Sequence, residues 1–278
     1  PPLTAGHIIL GTTHSTRGRV SSAISGDYVR LAHGCATMNL PPGSVAGLLE
    51  QDQRWGGRIL VKGDVIVPAG ITLTLAPGAV LRFSPVPIHH VEERRTRRGE
   101  TSPVHDHNKC CVMIFGRLIV EGAPRSPVEL GAGSEWGGLH FFGDGAGLIK
   151  HAVFADANSE GLALWDRSGV DLESALFQRC WVGAGVYGRS RARLKDCRMV
   201  DMRDGGLFCE GGCVDWDGGC WQGGKTGVRL SGGSARLRNL EGGHAEQGLL
   251  LESGRLLGDG LLLKNHRECD WRWLPHRQ

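Results

Sequence analysis

Three basic side chains crowd one stretch of this sequence: His140, Lys150 and His151. A histidine or lysine can take the proton beside a carboxylate while a cation or an arginine neutralises the charge that develops. Such a set would suit eliminative cleavage of a uronate polymer. The plainer reading leaves all three as surface groups. Further along, Tyr187, Phe208 and Arg229 offer two aromatic rings and a guanidinium, a combination suited to sugar stacking or protein docking. His105-Asp106-His107 with Cys110 would supply nitrogen and sulfur donors to a metal, with Cys111, His89 and His90 close by. Their spacing fits no strong zinc pattern, and neighbouring cysteines rarely share one ion. A polar loop is the simpler account.

Composition limits what these groups can serve. The 278 residues hold 32 Lys and Arg against 29 Asp and Glu, a net charge of +3. A nucleic-acid surface calls for a basic stripe. The one dense basic run, Arg94-Arg95-Thr96-Arg97-Arg98, lies in a polar stretch and reads as a solvated loop. No apolar run is long enough to span a bilayer. No signal peptide is visible and the sequence opens Pro1-Pro2, which reads as processed or trimmed. Nine cysteines leave at least one unpaired within a monomer, so the redox compartment stays open.

The elements that must position these residues come from a repeat. Six segments start on glycine and continue apolar, any residue, apolar, beginning at Gly138, Gly161, Gly185, Gly206, Gly227 and Gly248. They are separated by 23, 24, 21, 21 and 21 residues. That period, with alternation inside each unit and 44 glycines to turn the chain, is the pattern of a strand solenoid. Its outward row on this alignment is His140, Ala163, Tyr187, Phe208, Arg229 and Leu250, which contains no carboxylate pair for hydrolysis. No Ser-His-Asp set or phosphate loop appears either.

Earlier strands read Arg58-Ile59-Leu60-Val61-Lys62, Ile71-Thr72-Leu73-Thr74-Leu75 and Ala79-Val80-Leu81-Arg82-Phe83, each closed by a Gly or Pro turn. The stretch from Asp64 to Phe83, then Gly116-Arg117-Leu118-Ile119-Val120-Glu121-Gly122 and Trp136-Gly137-Gly138-Leu139-His140-Phe141, resembles secreted right-handed parallel β-helix proteins of the pectate-lyase-like fold. The resemblance implies an all-β, single-stranded right-handed parallel β-helix of about eight or nine coils over residues 55–265. It implies an extracytoplasmic location and an outer face used for binding or catalysis. It also implies a calcium loop before residue 110, of which Asp106 and Asn108 remain while the other carboxylates are missing, so no cofactor is expected.

The expected organisation is an N-terminal segment over 1–54, the β-helix over 55–265 with an insertion at 84–109, and a capping tail over 266–278. The N-terminal segment would carry strands at His7–Leu10 and Tyr28–Leu31 and a short helix starting from Ser44 as N-cap. A second strand per coil carries charges whose sign alternates: Asp171 and Glu173, Arg193 and Lys195, Asp215 and Asp217, Arg236 and Arg238. Stacked, these would form a ladder of ion pairs. Cys197 and Cys209 fall on inward positions and Cys213 and Cys220 are the better disulfide candidates. Two functions follow as expectations. One is a non-catalytic scaffold or binding protein whose partner is an assembly protein or a polysaccharide. The alternative is a polysaccharide lyase.

Overall fold

The computed structural model describes residues 43–85 and 109–273. Every regular element among them is a strand, and the strands wind into a right-handed parallel β-helix of about nine turns. Each turn contributes one strand to each of three columns. The glycine-led column climbs through Cys111–Ile114, Gly138–Phe141, Glu160–Leu164, Val182–Tyr187 and Gly205–Glu210 to Cys269–Trp273. A second column contains Thr72–Leu75, Arg117–Glu121, Ala146–Lys150 and Gly169–Glu173. The third contains Val80–Phe83, Val128–Leu130, Ala152–Ala155 and Leu176–Gln178. The strand pairings that build the three columns are parallel.

Alternation explains the core. In each strand the apolar side chains turn inward and meet their equivalents in the next coil, so Leu118, Val120, Ile149, Leu172, Leu194, Trp216 and Leu237 belong to one continuous interior. Phe154 and Phe177 stack at 4.5 Å, and the same row continues through Met199 and Trp221.

Corners are as repetitive as strands. From Ala146–Lys150 onward, the residue that closes the second-column stretch of each coil lies in the left-handed region: His151, Ser174, Asp196, Gly218, Asn239 and Gly260. A second such row, Asp156, Arg179, Asp201, Gly223, His244 and Asn265, ends the third column. Single left-handed residues turn the chain tightly. Asn, Asp and Gly accept that conformation at low cost, which accounts for most of both rows.

The register corrects the alignment of the glycine repeat in one coil. Ala163 pairs with Gly185 and Gly185 with Phe208, so the glycine equivalent to Gly161 and Gly206 is Gly183. A slip of two residues preserves the inward and outward pattern, so alternation alone cannot detect it. Packing makes the distinction. A Cβ at Gly183 would meet the Gly206 carbonyl oxygen at 2.7 Å, and one at Gly227 would meet Trp221 Nε1 at 1.9 Å. These glycines point inward, where neighbouring backbone and large side chains leave no room.

One terminal expectation also changes. Ser44–Leu48 is a strand paired in parallel with the chain around Leu60–Ile66, not a helical turn, because a neighbouring edge outweighs a local capping signal. Cys269–Trp273 is likewise a strand stacked on Gln247–Leu251. The strands expected at His7–Leu10 and Tyr28–Leu31, and residues 86–108 of the insertion expected at 84–109, lie outside the described residues.

The charge ladder forms in the expected register: Asp171 over Arg193 over Asp215 over Arg236, and Glu173 over Lys195 over Asp217 over Arg238. Lys195 and Lys150 both reach Glu173, at 3.5 and 3.4 Å, and Arg238 bridges Asp215 and Asp217 at 3.1 and 3.3 Å. The hydrogen bond and charge of Lys150, helped by Lys195, hold the Glu173 carboxyl below its ordinary range. The eight described cysteines are all free. Cys197 and Cys209 are buried as expected, whereas Cys213 and Cys220 lie on one strand and form no disulfide.

Candidate functional site on the outer glycine-led face

The outward row of the glycine-led column is Ile66, Met113, His140, Ala163, Gly185, Phe208, Arg229 and Leu250. Its first members are unusual for an outer face. Ile66, Met113, His140 and Ala163 are all buried, and the three apolar ones stand apart from the interior cluster. His140 Nε2 lies 3.0 Å from the Gly137 carbonyl oxygen, so the ring is anchored to its own strand entry.

Two acidic residues that the sequence reading passed over sit on this face. Glu160 begins its strand one residue before the leading glycine, and its carboxylate accepts a hydrogen bond from the Tyr187 hydroxyl at 2.6 Å. The Ser159 hydroxyl donates to its other oxygen. Glu160, Tyr187 and Ser159 are all buried. Burial and the neighbouring Glu160 charge push the Tyr187 phenol well above its ordinary value, which keeps it a donor. Asp64 is the second: its Oδ1 accepts the Cys111 backbone N–H at 2.8 Å. Burial, then the Asp64 charge, raises the Cys111 thiol well above the usual thiol range.

Beside this row runs an aromatic one. Phe115 and Phe142 stack at 5.2 Å, Phe142 and Trp165 at 6.4 Å, and Trp165 and Tyr187 at 4.2 Å, with ring planes within 20° of parallel. Rings stacked along the solenoid axis spend their faces on one another and present edges outward. A sugar ring needs a free aromatic face, so this row stiffens the sheet and does not make a stacking platform. The Gly185 position leaves room for the Tyr187 ring to fold back across the sheet: a Cβ there would lie 2.5 Å from it.

The candidates named from sequence separate. Tyr187 sits one row over from its expected place and is tied to Glu160 and Trp165. Phe208 and Arg229 do come together, with the guanidinium 5.8 Å from the ring centroid, but Glu252 takes Arg229 in a two-bonded pair. His140 does not meet Lys150 or His151. Lys150 belongs to the second column, in the ladder with Glu173, and His151 is the left-handed corner after it. Cys110 is a core thiol near the Val61 and Ser84 carbonyl oxygens, pushed up to about 12 by burial. His105 and His107 lie outside the described residues.

Asp64 and Glu160 carried no sequence signal of their own. Asp64 lies within an ordinary repeat strand and Glu160 begins one, and only the stacking shows both carboxylates on one shielded face. Among the described residues no group of three or more His, Cys, Asp or Glu is placed to hold a metal ion. No helix of the described residues is long and apolar enough to cross a membrane.

Compared with known proteins, the chain matches no family model, no curated protein and no solved structure.

Proposed function

We propose that this chain is a non-catalytic β-helix scaffold, a subunit of a larger extracytoplasmic assembly. One observation carries the reading: the groups that suggested chemistry are engaged by partners within the fold. Tyr187 serves Glu160, Lys150 serves Glu173, Arg229 serves Glu252, His140 is held at Gly137 and His151 turns a corner. A lyase needs a base, an acid and a charge-neutralising group converging on one accessible bond. Here the three basic candidates are dispersed over separate columns and corners. The extracytoplasmic location rests on the resemblance of the opening coils alone.

The test is an assay of uronate-polymer degradation with the purified chain, with and without added calcium. No unsaturated product is expected in either condition. Product that forms with the wild type and disappears in a folded His140→Ala variant would replace this reading with the lyase.

A further inference from the structure

The two ends of the described solenoid are finished differently. In the first described coil Leu49 and Trp55 are only 6% and 8% exposed. In the last strand, Trp271 and Trp273 pair with Leu249 and Leu251, positions that face the interior in every earlier coil. Yet they are 68% and 62% exposed, because no described coil lies above them. On the other two terminal strands the inward positions are Leu256 and Leu263, and both are only partly buried. The strand Cys269–Trp273 pairs with Gln247–Leu251 alone among the described strands, so its other edge offers a row of backbone donors and acceptors.

The sequence of that edge is self-complementary. In an antiparallel pairing centred on Trp271, Asp270 of one chain faces Arg272 of the other, twice by symmetry. Opposite charges directly across a strand pair stabilise it and like charges oppose it. We propose that a second copy of this chain closes this end, the two Cys269–Trp273 strands pairing antiparallel about a two-fold axis through Trp271. Head-to-tail stacking would need a second open end, and the shielded Leu49 and Trp55 argue against it. The symmetric, self-limiting contact fits both observations. This inference rests on the scaffold reading and names its partner.

Sedimentation equilibrium of the full chain tests it. The wild type is expected to sediment at twice the monomer mass. Trp271→Glu with Trp273→Glu is expected to be monomeric. Asp270→Arg or Arg272→Asp alone turns both cross-pairs repulsive and weakens association about tenfold. The double swap, Asp270→Arg with Arg272→Asp, restores the charge match and brings association back near the wild type. It does so even though it loses the Asp270 contact to His266 Nδ1, 2.8 Å in the native chain. A far-ultraviolet circular dichroism spectrum that matches the wild type shows that each variant is folded. A monomeric wild type, a dimer indifferent to the tryptophan changes, or a swap that fails to recover would each overturn the pairing. A monomer that leaves uronate polymers intact removes the dimer and keeps the scaffold, whereas polymer cleavage removes the scaffold whatever the mass.

Discussion

Glu160 shows how a group with catalytic chemistry becomes a structural one. A buried carboxylate is expensive unless its oxygens are bonded, and Tyr187 and Ser159 supply donors to both. The cysteines illustrate the same rule with a different sign. Cys110, Cys180, Cys197 and Cys209 are held near 12 against an ordinary 9.0, chiefly by burial. The folded chain therefore keeps protons that the unfolded chain gives up first. The stability they contribute is intact below pH 9 and is lost progressively as the pH rises toward 12. Denaturant melts taken in steps from pH 8 upward should show a falling midpoint, and Cys197→Ala should flatten that fall. In native buffer a thiol alkylating reagent should leave these four unlabelled until the chain unfolds. His151 makes a separate residue-level case. At its left-handed corner, His151→Val should lower stability by about 1–2 kcal/mol while His151→Gly is tolerated, as judged by urea titration.

At the scale of the strand, the ladder and the glycine row carry opposite kinds of evidence. Reversing Arg193 and Lys195 to Glu places like charges against Asp171, Asp215, Glu173 and Asp217. The melting temperature should drop by a few degrees at low salt, and the difference should shrink as salt is raised. Gly227→Ala has no such relief, because its Cβ falls on the Trp221 ring and the Gly248 carbonyl oxygen. It should cost about 3 kcal/mol or more by urea titration. Much of this level was legible in the sequence: the alternation, the inward cysteines and the charge register follow from spacing alone. The coil at Gly183 was not, since Gly183 and Gly185 satisfy the same alternation and only crowding inside the coil separates them. Tyr187 was misplaced for that reason. Ser44–Leu48 read as a helix start because its partner strand is invisible locally. Glu160 and Asp64 looked like ordinary strand entries until neighbouring coils shielded them.

At the largest scale, the described repeat builds a stiff rod whose first coil is shielded and whose last strand, Cys269–Trp273, carries Trp271 and Trp273 exposed at core positions. On the proposed scaffold reading, the outer face of the glycine-led column holds the rod together and performs no reaction. Active-site residues carry strain or desolvation that their removal relieves, so their loss usually leaves stability unchanged or higher. Structural partners behave in the opposite way. Thermal and urea unfolding of Glu160→Gln, Tyr187→Phe and the double variant measures this directly. Each single change is expected to lower stability by about 1–3 kcal/mol, with the double variant losing less than the sum because both break one bond. Single variants as stable as the wild type, or more so, would contradict the claim and mark Glu160 and Tyr187 as functional groups.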